Sequence, residues 1–227
     1  MAARIRQNDV LLFMNDFLFD PENIDDFNAD YVVLCHELGH VITWFCYGEE
    51  IGCLKCCRCT DNLIEARVTL PPNAKLDELL HTPKYAMKFA ERLLAGEISA
   101  RHALGKRTDQ ICSKGLPVGD GPDQLAKAIA QTNPNSNLAK EDVFKVLQFA
   151  INHGQSGWYA WIVERMSRAR DVVNQNWAAI DQIARRLEPR LPAIGKTQVW
   201  TKDELLAEMK KCGIHSCNYG SNASTQG

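Results

Sequence analysis

Residues 30–48 read DYVVLCHELGHVITWFCYG. Asp30 is a residue type that opens helices, Gly48 one that follows their ends, and the run between is apolar at helical spacing, so the stretch predicts a helix over 31–47. Within it stands an HExxH motif, His36-Glu37-Leu38-Gly39-His40. Residues four apart in a helix differ by about 40° around the axis and about 6 Å along it, so both imidazoles face one way and can share one metal ion. Glu37 is turned by about 100° from His36, beside such an ion instead of on it. A carboxylate there can take a proton from a metal-bound water and pass it to a leaving amine, while the ion polarises a scissile carbonyl. Zinc (Zn2+) suits the site, because it accepts imidazole nitrogen, has no redox chemistry and lowers the pKa of bound water towards about 7. Glycine inside a helix costs about 1 kcal/mol relative to alanine, so Gly39 implies a close approach to the backbone.

A hydrolytic zinc needs three protein ligands and one open position. The residues alone leave the third open among Glu91 and Glu97 on a second helix, Asp120 and Asp123 after a loop, and His81 or His102.

Moving outward, alternation from Glu50 to Leu70 around Asp61-Asn62 predicts a β-hairpin, closed by Pro71-Pro72. A helix is expected over 83–104, with Gly96 weakening its middle and Gly105 stopping it. Residues 106–122 concentrate Gly, Pro, Asp and Ser and predict a loop or flap. Helices follow over 123–131, 140–153 and 158–187, the last single or two in tandem, ended by Pro189 and Pro192. Thr201 and Glu204 form a capping box opening a short helix to Lys211, and the tail ending NYGSNASTQG is polar. The fold class is mainly α (α+β), with one small β-hairpin.

With 227 residues, 45% hydrophobic and 24% charged, the chain has the composition of one globular unit. A net charge of -2 supplies no field for a polyphosphate, which excludes nucleic acid as the main partner. The longest apolar stretch is broken by His36, Glu37 and His40 and falls short of the roughly 20 residues of a transmembrane segment. No secretory signal is read at the start, and nine cysteines, an odd number, fit reduced thiols in a cytoplasmic setting. Cys53, Cys56, Cys57 and Cys59 suggest a second metal by spacing, but a strand puts Cys56 on the face opposite the other three, so packing is the simpler reading. Cys35 and the tryptophans Trp158, Trp161 and Trp177 are expected in the core, and His153 at a helix end.

The segments CHELGHVITWFCYGEEI, LAGEISARHALG and GDGPDQLAKAIA together resemble the peptidase domain of the FtsH family of zinc proteases. There a metal helix is followed by strands, by a glycine-bearing helix, and by an aspartate that opens another helix. Gly96 and Gly105 match the glycines of the middle motif, whereas Ala100 and Arg101 replace its paired acidic residues. The resemblance implies a zincin-like helical metallopeptidase domain over 30–211, between an N-terminal extension (1–29) and a tail expected to be disordered (212–227). It also implies Asp123 as third ligand beside His36 and His40, with Asp120 as its rival because the preceding loop is longer than the family's. No ATPase module or Walker loop precedes the motif, so the expected activity is ATP-independent endopeptidase cleavage of flexible protein or peptide segments, with Glu37 as general base; monomer and small oligomer are equally compatible. A regulatory protease of the ImmA/IrrE type also carries HELGH, but its glutamate-bearing ligand motif is poorly met around Phe89-Ala90. A non-catalytic metal-binding or interaction protein is the rival from another class; the intact Glu37 argues against it.

Overall fold

The computed structural model describes residues 29–60, 63–69, 82–105, 145–146, 149–150, 152–153 and 157–214, and in it the HExxH segment forms the innermost helix, α1 (Ala29–Cys46). This helix is apolar on almost every side, and such a helix is stable only when neighbours cover it all round. Leu34, Leu38, Val41 and Ile42 are fully buried, each contributing about 1.5–3 kcal/mol by leaving water. The cover comes from α2 (Pro83–Ala103), from α3 (Trp158–Leu187) and from a small sheet. Asp30, expected to cap the helix from outside, lies within its first turn. Its carboxylate still favours the helix dipole there, and it pairs with Arg58 of the sheet.

Strands β1 (Leu54–Thr60) and β2 (Leu63–Val68) are antiparallel, as the alternation predicts, with Leu54 opposite Val68 and Cys57 opposite Glu65. The hairpin is only part of the sheet. A third strand, β3 (Thr197–Trp200), pairs antiparallel with the other side of β1, giving the order β2-β1-β3. Leu54, Cys56 and Trp200 are buried on the inner face, and β2 is left at one edge.

Helix α2 runs without a break through Gly96. Helix α3 is a single rod of 30 residues, about 45 Å long at the α-helical rise. A 3-10 turn, Glu188–Arg190, built on Pro189, ends it. The expected capping box opens α4 (Lys202–Lys211): the Glu204 N–H donates to Thr201 Oγ1 at 3.3 Å, and the Thr201 N–H donates to Glu204 Oε2 at 2.8 Å. Beyond α4 the chain continues into the core through buried Ile214. Residues 145–146, 149–150 and 152–153 are helical, in keeping with the helix expected over 140–153, and bring Val146 and Ala150 into the core. Residues 1–28 of the N-terminal extension, the Asp61-Asn62 turn, Pro71-Pro72, the loop 106–122, the helix expected over 123–131 and the tail 215–227 lie outside the described residues. No described helix is long and apolar enough to cross a membrane.

The crossing of α1 and α2 positions the site, and two glycines set its depth. A Cβ on Gly39 would collide with Ser99 Oγ and come within 2.5 Å of the Ala95 carbonyl oxygen, a backbone atom with nowhere to move. The close approach read from Gly39 is therefore the contact with α2. Gly39→Ala is expected to destabilise the fold by about 1–3 kcal/mol, the usual cost of overpacking. Urea unfolding followed by circular dichroism measures it, and an unchanged midpoint would contradict this packing.

Candidate metal centre

Side by side on α1, His36 is half-buried and His40 is only 4% exposed. Their rings meet edge to face, with centroids 4.6 Å apart, and their Nε2 atoms face each other at 3.0 Å. Two nitrogens bound to one tetrahedral zinc at about 2.0–2.1 Å stand about 3.3 Å apart. The pair thus fits one ion with a shift of a few tenths of an ångström. The far side of His40 is also specified: its Nδ1 lies 2.8 Å from the Arg92 carbonyl oxygen. A carbonyl only accepts, so Nδ1 carries the proton, and the Nε2 lone pair is left facing His36. Metal-binding histidines are commonly held by such a bond from the outer nitrogen to a carbonyl.

Gly96 makes this contact possible. A Cβ there would overlap the His40 ring, 2.5 Å from Nε2 and 2.8 Å from Nδ1, so only glycine leaves the imidazole room against α2. The Arg92 side chain turns away, its guanidinium 5.2 Å and 5.4 Å from the ring centroids of Trp44 and Phe89.

Glu37 is 7% exposed and lines, with His36, a cavity of about 870 Å³. No hydrogen bond or ion pair engages its carboxylate among the described residues, a costly state for a buried charge unless the group has work in the cavity. Val32 and Val33 of α1, Glu97 and Ala100 of α2, and Ile64 to Arg67 of β2 share the lining.

The third-ligand candidates separate by position. Glu97 lies in the cavity, and its Oε1 accepts from Arg101 Nε at 3.0 Å. Glu91 is engaged elsewhere, accepting from the Tyr47 hydroxyl and ion-paired with Arg165 at 3.0 Å; burial raises its pKa despite both partners. His102 stacks on Trp177 at a centroid distance of 3.9 Å. Asp120, Asp123 and His81 lie outside the described residues. Among the described residues, no three His, Cys, Asp or Glu side chains converge as a metal site. This holds for the cysteines as well. Cys56 is buried on the inner face of β1, its thiol pushed up to about 12 by burial and by the Glu37 carboxylate, while Cys57 lines the cavity and Cys59 is exposed. Cys35 is a core thiol, also pushed up to about 12, chiefly by burial.

The Arg92 carbonyl was not foreseeable from residue types, because any residue carries one; Gly96 was the available signal. Comparison of the chain with models of protein families, with curated proteins and with solved structures finds no match.

Proposed function

We propose that the chain is a zinc metallopeptidase with a zincin-like site of the FtsH kind, ATP-independent and cytoplasmic, cutting flexible segments of proteins or peptides. The observation that carries this reading is the pair of Nε2 atoms 3.0 Å apart, with the Nδ1 of His40 held by the Arg92 carbonyl. His36 and His40 would hold the ion, and Asp123 is assigned as third ligand by the resemblance. Zinc supplies a Lewis acid that polarises a carbonyl and acidifies water. Glu37, on the cavity wall and free of other partners among the described residues, accepts a proton from the attacking water and delivers it to the departing amine.

The cavity also has a means of holding an extended chain. Four consecutive residues of β2, Ile64 to Arg67, line it, although successive residues of a strand point to opposite faces. The cavity therefore takes in the edge of β2, which has no neighbouring strand in the sheet among the described residues, and extends across the sheet to Lys55 and Cys57 of β1 and Thr197 of β3. Backbone groups along such an edge pair with an added strand whatever its side chains, which favours a flexible substrate over a folded one.

Metal titration tests the proposal. The purified chain is expected to take up one zinc, with proteolysis of denatured casein lost on chelation and restored by zinc. A well-folded preparation that takes up no zinc, or that cleaves equally under chelation, overturns it.

A further inference from the structure

Lys55 of β1 and Arg67 of β2 stand directly opposite one another in the sheet, and both line the cavity that holds His36 and Glu37. Like charges directly opposite on a sheet repel and destabilise it. Among the described residues neither cation has an ion-pair partner, whereas Arg58, Lys88 and Arg165 have carboxylates against them. The neighbouring carboxylate on β2, Glu65, stands opposite Cys57 in the register and forms no ion pair with either cation among the described residues. A repulsive pair left uncompensated on the wall of a cleft is a site for an anion.

Resting on the peptidase reading above, we infer that Lys55 and Arg67 form a subsite for an acidic side chain of the substrate, so that the enzyme prefers extended segments carrying Glu or Asp. The placement follows from strand geometry. A chain added along the edge of β2, which carries no strand among the described residues, lies about 4.8 Å from it, and every second side chain falls on the face that carries Arg67. An acidic residue opposite Arg67 forms a favourable cross-strand pair and offsets the repulsion from Lys55. At other registers the same acid meets Glu65 or the carboxylates of Glu37 and Glu97, which disfavour it. The preference is therefore tied to one position along the substrate and is not a general attraction to acidic chains.

The experiment uses the full chain with Glu37→Gln, expected to slow cleavage by about 10²- to 10⁴-fold, and fluorescein-labelled ten-residue Ala/Ser/Thr peptides with a single glutamate moved through every position. Binding is read by fluorescence anisotropy. At one register the glutamate peptide is expected to bind about fivefold tighter than its glutamine counterpart. This advantage disappears in Arg67→Gln, falls in Lys55→Gln, and shrinks as salt rises. Arg67 is exposed and Lys55 half-buried on the sheet, so both variants are expected to fold, which circular dichroism verifies. If all peptides bind equally, or the advantage survives in both variants, the subsite is overturned and the peptidase reading stands. If no peptide binds at any register to a zinc-loaded protein, both fall together.

Discussion

Gly96→Ala is expected to weaken zinc binding by about 10- to 100-fold, the range seen when the outer hydrogen bond of a metal-binding histidine is lost. The added methyl cannot share space with the His40 ring, which must rotate away and give up the bond between Nδ1 and the Arg92 carbonyl. The Nε2 lone pair then no longer faces His36. Gly39→Ala is the internal control, because it crowds the same helix crossing against Ala95 and Ser99 and touches neither imidazole. Isothermal titration with zinc separates the two: both variants lose stability, and only Gly96→Ala loses affinity out of proportion. Equal affinities would mean that the carbonyl contact does not orient His40.

Glu37→Gln is expected to lower peptidase activity by about 10²- to 10⁴-fold while zinc uptake stays at one ion per chain. Glutamine keeps the volume of the side chain on the cavity wall and removes the proton acceptor. Activity on denatured casein, measured alongside metal content, checks this. Near-native turnover by the variant would place the base elsewhere, with Glu97, the other buried carboxylate on the cavity wall, as the next group to replace.

Much of this arrangement was legible in the sequence because it is local. The apolar run around His36 and His40, the Pro and Gly that bracket α2, and the reciprocal box at Thr201 and Glu204 are short-range signals, and each marks an element that forms as expected. The hairpin strands showed themselves by alternation. Strand β3 did not, because its four residues, Thr197 to Trp200, are too few for a period of two to register, and their pairing depends on a distant partner. Local sequence makes Gly96 only a weak point in a helix, since its reason is the imidazole of another helix. Asp123 rests on resemblance alone, because nothing local distinguishes it from Asp120 as a ligand. The commitment of Glu91 to Tyr47 and Arg165, and the placing of Glu97 in the cavity, depended on the packing of α1, α2 and α3.

The position of β3 bears on how the molecule is made. Its partner residues on β1 stand more than half the chain earlier, from Leu54 with Trp200 to Cys57 with Thr197. During synthesis β1 leaves the ribosome long before that partner exists, so the hairpin waits with its inner strand uncovered, a state prone to pairing with other chains. Closing so distant a pair is slow, and the wall of the cleft that β1 and β2 provide is completed only after the C-terminal segment has emerged. A nascent chain would thus complete this cleft only after Thr197 to Trp200 have been made.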